Sequence, residues 1–507
     1  MRVPSCVGKA LFLALFTIPL SACDQGLPFG GDRQAAIEQS SVRDPQVRAF
    51  YEARQWHAAW DGKSEKALAE IIGGAMAHGL KPSLFLDADA LPDDASAREA
   101  ALTKAALRYA DALARGYSDP KKSSEIYTIP RARADVAAGL ASAVEDGKLQ
   151  EWFASLAPHT PEYRALQQAH GKYLRAAAQA KPPTVSAGKA IKPGRRDKRI
   201  PAIAAALRAI GYAPAAQGEA TGHAERYSGA IVDAVKRLQA DLGLEPDGVI
   251  GEATVDALNV GPAGRARQLA IAMERLRWLE RNAPDTRIEV NTAAAFLDYW
   301  RDGRHVDRRN VVVGEPGWET PQLASPMFQL VAKPMWHVPD SILEDELSKK
   351  SQAYLSANGF TYRDGRLVQR SGPKNALGLV KFDLRNKQAI YLHDTPAKAL
   401  FGEPERHRSH GCIRVHNALQ FASMIASQEG VLDQFRKAMA KEDQSYVKLK
   451  SEIPVLLLYH TAFWDGSRVQ FRPDVYGWDD LVGSALGLVR GPVRKPWLHK
   501  PGEDVGP

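Results

Sequence analysis

The sequence predicts a multidomain α+β protein: a helical N-terminal scaffold, a small helical domain, and a mostly β C-terminal domain with a helical insertion. Three observations predict it. Residues 34–180 are Ala-rich and place their apolar positions at helical spacing. A short helical unit near 227–259 turns at Pro246-Asp247-Gly248. From residue 286 onward the pattern changes to short β-branched runs punctuated by Gly and Pro.

The length, 507 residues, leaves room for about three domains. A hydrophobic fraction of 45% and a charged fraction of 25% are ordinary for globular protein and exclude a disordered or polytopic membrane chain. A net charge of +8 is mild for this length. It fits an anionic polymer or none, and gives no reason to expect nucleic acid.

Residues 1–23 read as an export signal, with Arg2 and Lys9 before an apolar run from Ala10 to Leu20. The run is too short to span a bilayer comfortably. Leu20-Ser21-Ala22-Cys23 resembles a bacterial lipobox, which implies lipidation of Cys23 and a lipoprotein signal peptide; an ordinary cleaved signal is the alternative. With lipidation, Cys6 is discarded and Cys412 remains as the single free thiol, so a disulfide within the chain is impossible. The protein is then expected in the periplasm, anchored to the membrane by its N-terminal lipid. Asp24, after the lipidated position, weakly favours the inner membrane. Residues 24–33 (DQGLPFGGDR) form a flexible tether.

The scaffold, 34–196, is read as helices at 47–60, 64–78, 95–115 and 161–180, divided by breakers such as Gly79-Leu80-Lys81-Pro82 and Asp119-Pro120. It carries no evident chemistry, and His57, His78, His159 and His170 read as surface or capping histidines. Residues 181–196 (KPPTVSAGKAIKPGRR) read as a boundary or exposed loop. The unit at 197–262 has Ile231, Val235 and Leu238 on one helical face, closed by Leu242 and Leu244. The Arg-rich stretch 263–285, with Arg265, Arg267, Arg275, Arg277 and Arg281, reads as a connecting helix with a solvated face. In the domain at 286–485, strands are expected at 288–291, 310–314, 328–332, 379–383 and 389–393. Residues 454–461 and 468–471 read as a hairpin around Asp465-Gly466, the capping insertion falls near 340–374, and a late helix near 416–428. Residues 486–507 form a C-terminal tail.

The chemistry concentrates in Tyr391-Leu392-His393-Asp394-Thr395 and Ser409-His410-Gly411-Cys412-Ile413-Arg414-Val415. A thiolate nucleophile needs a base or a cation to lower its pKa from about 8.5, and histidine is the usual one. His393 ends an apolar strand nineteen residues before Cys412. Gly411 lets the backbone approach closely, so amides beside Cys412 are candidates for an oxyanion hole. A buried cysteine alone is usually inert packing. A zinc site built from His393, His407, His410 and Cys412 is the other rival, but the spacings match no zinc motif and no paired cysteine or carboxylate cluster accompanies them. No metal and no cofactor are expected.

His393, a fifteen-residue gap and Ser409-His410-Gly411-Cys412 resemble the signature of L,D-transpeptidases with a YkuD-type catalytic domain. Val290-Asn291, Val313-Gly314, Thr320-Pro321, Lys333-Pro334-Met335-Trp336, Val338-Pro339 and Asn375-Ala376-Leu377-Gly378 recur in the family's order. Leu238-Gln239, Leu242-Gly243-Leu244, Asp247-Gly248 and Ala257-Leu258-Asn259 resemble the three-helix peptidoglycan-binding domain, with a glycan-free helical spacer as the alternative. The domain order is similar to the large YcbB-like branch, over most of 34–485.

The resemblance implies a peptidoglycan enzyme forming 3→3 cross-links. Cys412 would attack the L-centre carbonyl of the third stem residue, release D-alanine and hold a thioester that a neighbouring stem amine resolves. His393 would be the base or the imidazolium of an ion pair, oriented by a backbone carbonyl. Ser409, His410 and Gly411 would shape the catalytic loop. Arg414 stands where many members have Asn; it would hold a substrate carboxylate bidentately, or form an internal ion pair. Tyr391, Trp336 and Asn375 would bind substrate. The insertion would exclude water, and carbapenems would acylate Cys412. Stem peptides and glycan would be the partners, with other cell-wall synthesis enzymes as candidates for the scaffold. Rival outcomes are an L,D-carboxypeptidase, an enzyme attaching protein to the wall, or a non-catalytic wall-binding lipoprotein.

Overall fold

A computed structural model describes residues 37, 39, 42–179, 182–212 and 225–489. The readings that fall on 1–33, including Cys6, Cys23 and Asp24, lie outside the described residues, as does the tail beyond 489.

The scaffold contains α1 (Pro45–Ala53), α2 (Gly62–Gly73), α3 (Ala95–Arg115), α4 (Val136–Glu145), α5 (Leu149–Leu156) and α6 (Pro161–Ala177). Asp44, Asp61, Asp94, Asp135 and Thr160 each accept main-chain N–H bonds at a helix start. The helix expected over 47–60 stops at Ala53, because Gln55 and Trp56 adopt left-handed φ of 52° and 63°. The Trp56 ring stacks on Tyr51, and the Glu99 carboxylate takes the Ala59 and Trp60 amides. That tertiary pull outcompetes helical continuation. His170 is buried rather than on the surface.

Three helices follow, α7 (Ile200–Ala209), α8 (Ala230–Asp241) and α9 (Glu252–Asn259). Val235 and Leu238 are buried as the apolar face requires, and Ile231 packs at its edge. Gln239 braces the turn: its amide reaches Asp247 and Val249, and its oxygen accepts from the Gly248 N–H at 2.9 Å. The expected boundary loop is built into this unit. Val185 and Ile191 are buried, and Asn259 exchanges two hydrogen bonds with the Val185 backbone.

Helix α10 (Gly261–Trp278) overturns the reading of a solvated Arg face. Arg265, Arg275 and Arg277 are buried in it. Arg277 meets Glu274 at 2.6 Å and the Tyr163 hydroxyl at 2.8 Å; Arg275 meets Asp479 at 2.5 Å. The helix therefore lies at the junction of scaffold and C-terminal domain, with each guanidinium given an acceptor where burial would otherwise be prohibitive.

The C-terminal domain comprises β1 (Arg287–Asn291), β2 (Phe296–Arg301), β3 (Arg304–Gly314), β4 (Leu323–Ala332), β5 (Trp336–His337), α11 (Asp340–Asp345), α12 (Gln352–Ala357), β6 (Phe360–Arg363), β7 (Arg366–Gln369), β8 (Val380–Leu384), β9 (Leu392–His393), β10 (His407–Ser409), β11 (Ile413–Val415), α13 (Ala418–Gln428), α14 (Leu432–Ala440), β12 (Ser445–Leu458), β13 (Ala462–Trp464), β14 (Val469–Phe471) and α15 (Trp478–Ala485). The main sheet runs β10-β3-β11-β9-β8-β4-β12-β1-β2, and β2 also pairs with β3, so it closes on itself. Its interior is apolar, with Val290, Leu330, Phe382, Leu392, Ile413 and Val455 among the residues that fill it. Residues 454–458 belong to the long β12 rather than to the expected hairpin, which is β13–β14. The insertion is not purely helical: α11 and α12 pack with the sheet β5-β7-β6 around Trp336, Ile342, Leu355, Phe360 and Leu367.

Candidate active site

Strand alternation builds the site. Phe382, Leu392 and Ile413 are register neighbours across β8, β9 and β11, and all three point into the barrel core. The intervening residues must face the other way. There Lys381 pairs with His393, and His393 with Arg414, in one row across three strands. Tyr391 and Cys412 immediately precede Leu392 and Ile413, in the next row.

The His393 Nδ1–H donates to the Asp394 main-chain carbonyl at 2.5 Å. A carbonyl only accepts, so the proton sits on Nδ1 and the lone pair of the neutral ring on Nε2. The Asp394 side chain has separate work. It accepts from the Leu379 N–H at 3.0 Å and pairs with Lys398. It also crowds Gly378, where a Cβ would come within 2.4 Å of its Oδ2, so the 375–379 turn requires glycine at that point.

Cys412 is 5% exposed, with its Sγ 3.8 Å from the Ala389 carbonyl. Burial pushes the thiol up to about 11. Tyr391 and, more weakly, the charges of Lys381 and Arg414 act against this rise. Tyr391 is itself pushed well above its ordinary value, by burial first and then by the neighbouring thiol. Its ring lies 5.6 Å from that of His393.

The loop before Cys412 is braced from within. Ser409 Oγ donates to the Cys412 carbonyl at 2.6 Å and accepts from the Gly411 N–H at 3.3 Å. Ser409 is fully buried, so it holds the loop rather than facing solvent. Gly411 has φ of 105°, a region that side chains rarely adopt. Thr320 fastens the loop from outside: its Oγ1 donates to the Gly411 carbonyl at 2.9 Å and accepts from the Gly314 N–H. Tyr476 extends this network by donating to the Gly314 carbonyl at 2.6 Å.

His410 points to the insertion. Its Nε2 meets Glu346 at 2.8 Å, and Trp318 packs edge-on against its ring at 4.9 Å. His407 is held by Glu405 and the Thr292 carbonyl. Among the described residues, no group of three His, Cys, Asp or Glu side chains could hold a metal ion.

Arg414 is 1% exposed and stands beside His393 in the register row, so it is not open to a substrate at the surface. Asn375 is equally buried: its amide donates to the Gln369 and Arg370 carbonyls, and its oxygen accepts from Leu377. It shapes the turn, with its amide groups engaged by the backbone there. Trp336 lies in the insertion's core against Phe360, with Tyr391 packed on that cluster. Of the four residues expected to bind substrate, Tyr391 alone is partly exposed. Sequence reasoning missed Thr320, Glu346, Lys381 and Tyr476 as neighbours of the site. For Lys381 the signal existed, since its strand alternates around Phe382.

Three stretches of the chain match known families. Residues 45–169 match one described as "Scaffold domain", 196–258 one described as "Putative peptidoglycan binding domain", and 285–442 the L,D-transpeptidase catalytic domain. A protein of Haemophilus influenzae named "Putative L,D-transpeptidase" is 29% identical over 245 residues, covering 43% of this chain and 49% of that protein. The chain thus spans about half the length of that relative. Among solved structures, an L,D-transpeptidase from Mycobacterium smegmatis shares 14% identity over 35% of this chain and 60% of that chain, with a TM-score of 0.21. The catalytic domain of an E. faecium L,D-transpeptidase acylated by ertapenem shares 16% over 35% of this chain and 99% of that chain, with a TM-score of 0.20. Likenesses that weak carry no functional inference.

Proposed function

We propose that this chain, which carries an L,D-transpeptidase catalytic domain at 285–442 behind a peptidoglycan-binding domain at 196–258, is a cysteine acyltransferase that forms 3→3 cross-links between peptidoglycan stems. One observation supports this above the rest. The Asp394 carbonyl commits the His393 Nδ1 proton, which leaves Nε2 as the basic atom, two register rows from a buried thiol and on the same side of the strands.

The thiol is pushed up to about 11, so it stays protonated near neutral pH. His393 then acts as a general base during attack rather than as half of a standing ion pair. Cys412 Sγ adds to the L-centre carbonyl of the third stem residue as its proton passes to His393. The tetrahedral intermediate collapses, the C–N bond breaks, and D-alanine leaves as the amine with a proton returned by His393. A neighbouring stem amine attacks the thioester, loses a proton to His393 and regenerates the thiol. The insertion, tied to the catalytic loop through Glu346, limits water and so favours aminolysis over hydrolysis. Export as a periplasmic lipoprotein anchored through Cys23 belongs to the same reading, since the substrate lies outside the cytoplasmic membrane.

The test is intact-protein mass spectrometry of protein truncated before residue 34, incubated with a carbapenem beside Cys412→Ala. A stable adduct on the wild type alone is expected. No adduct on folded wild type sinks the acyltransferase reading. Purified tetrapeptide stems then separate outcomes: a 3→3 dimer supports cross-linking, and free tripeptide alone supports an L,D-carboxypeptidase.

A further inference from the structure

We propose that Thr320 and Tyr476 are positioning residues for acyl transfer: together they aim the Cys412 main-chain N–H at the oxygen that becomes negative when a substrate carbonyl is attacked. The proposal rests on Cys412 being the nucleophile. Thr320 Oγ1 donates to the Gly411 carbonyl at 2.9 Å. That carbonyl and the Cys412 N–H belong to one trans, planar peptide and point in opposite directions. Whatever holds the oxygen therefore sets the line of the N–H. The amides on either side are already engaged. The Gly411 N–H donates to Ser409 Oγ at 3.3 Å, and the Ile413 N–H to the Tyr391 carbonyl at 3.1 Å. The Cys412 N–H stands between them, on the residue that carries the sulfur. An amide fixed before reaction is the kind of donor that stabilises a developing oxyanion.

Tyr476 holds Thr320 in turn. Its hydroxyl donates to the Gly314 carbonyl at 2.6 Å and accepts from the Thr320 N–H at 3.4 Å. The Gly314 N–H donates to Thr320 Oγ1 at 2.9 Å, which leaves the proton of that hydroxyl for the Gly411 carbonyl. The turn from Gly314 to Thr320 is tight, since a Cβ at residue 314 would collide with the Trp318 carbonyl oxygen. Tyr476 lies between β14 and α15, beyond the stretch 285–442 that matches the catalytic domain. It is fixed from behind. Its ring stacks on Tyr459 at 5.1 Å, its N–H donates to the Tyr459 hydroxyl at 3.0 Å, and that hydroxyl donates to Asp474 at 2.7 Å. Asp474 also accepts the Asp479 N–H at 2.9 Å, and Asp479 pairs with Arg275 of α10. The contacts thus run from the interdomain helix to the loop that carries Cys412.

The test compares two reactions of the same thiol in the full-length protein. Carbapenem acylation passes through a tetrahedral oxyanion, and alkylation by iodoacetamide does not. Acylation is read by intact-protein mass, alkylation at the tryptic peptide 409–414 that contains Cys412. In Tyr476→Phe, which keeps the ring, acylation is expected to slow roughly tenfold, short of the roughly hundredfold or more that a deleted oxyanion donor costs, with alkylation unchanged. Thr320→Val, which keeps the shape and removes the hydroxyl, is expected to show the same split. Thr320→Ser, which keeps the hydroxyl, is expected to restore the wild-type ratio. A purely structural role would slow both reactions together or neither, and either outcome in folded Tyr476→Phe overturns the proposal. If Tyr476→Phe does not fold, the two Thr320 variants decide by the same split. Wild type that is alkylated but never acylated overturns the acyltransferase reading and this proposal with it. Equal acylation in wild type and the variants overturns this proposal alone.

Discussion

Ser409 and Gly411 belong to the cysteine motif, yet both serve the loop that carries Cys412. Ser409 satisfies two main-chain groups at once, the Gly411 N–H and the Cys412 carbonyl. Ser409→Ala leaves both without that partner in a buried place, so a loss of about 1–3 kcal/mol in urea unfolding is expected, with slower carbapenem acylation. Unchanged acylation in that variant would remove the loop from the list of things that set reactivity. His393 presents a sharper case. Its orientation comes from a neighbouring main-chain oxygen, so Asp394→Asn is expected to disturb the 375–379 turn while leaving the imidazole tautomer in place. A pH–acylation profile with the same inflection as wild type, at reduced amplitude, checks this.

At the scale of elements, the insertion and α6 each add a contact that is testable alone. Glu346, which follows α11, ties the insertion to the catalytic loop through His410. Glu346→Ala is expected to raise hydrogen exchange across 340–374 and leave the barrel strands protected. Helix α6 touches β13, where the Glu162 carboxylate accepts from the Trp464 N–H. Burial, then the charges of Glu289 and Asp298, raise Glu162 to about 7, above its ordinary 4.5. The folded state therefore holds a proton that the unfolded chain has already lost. This contribution is present in full below pH 4.5 and is lost as pH rises through about 7. Thermal midpoints are expected to match for wild type and Glu162→Gln at pH 4, with Glu162→Gln the more stable at pH 8. Elements such as α3, β4 and α13 were legible because their apolar spacing agrees with their burial. The break after α1 and the strand β2 were not, since Tyr51–Trp56 stacking and pairing with β3 decide them.

Across the whole molecule, α10 joins what the sequence divides. The apolar core beneath the scaffold and the small helical domain is continuous with Leu458, Ala462, Phe471 and Val482 of the C-terminal domain. Arg275 and Asp479 are each 2% exposed at that junction, and Thr461 donates to the second Asp479 oxygen at 2.7 Å. Asp479→Ala leaves a buried guanidinium without its counter-charge, and a loss of about 3–5 kcal/mol is expected by denaturant unfolding. A loss below 1 kcal/mol would mean that Arg275 finds water or another acceptor there.

Residue type and spacing alone pointed to the candidate site and the domain change: the lone mature thiol expected at 412, the histidine at 393, the glycine between them and the shift from helical to strand periodicity near 286. These are local properties, carried by residue type and spacing. Tertiary structure decided which residues meet. Strand register set Lys381, His393 and Arg414 in one row, and closure of the barrel turned the alternate residues inward. Packing of α10 between domains buried arginines whose composition reads as surface. Local spacing cannot encode such meetings, because their partners lie outside any local window, on other strands of the sheet or, for Arg275 and Asp479, in another domain.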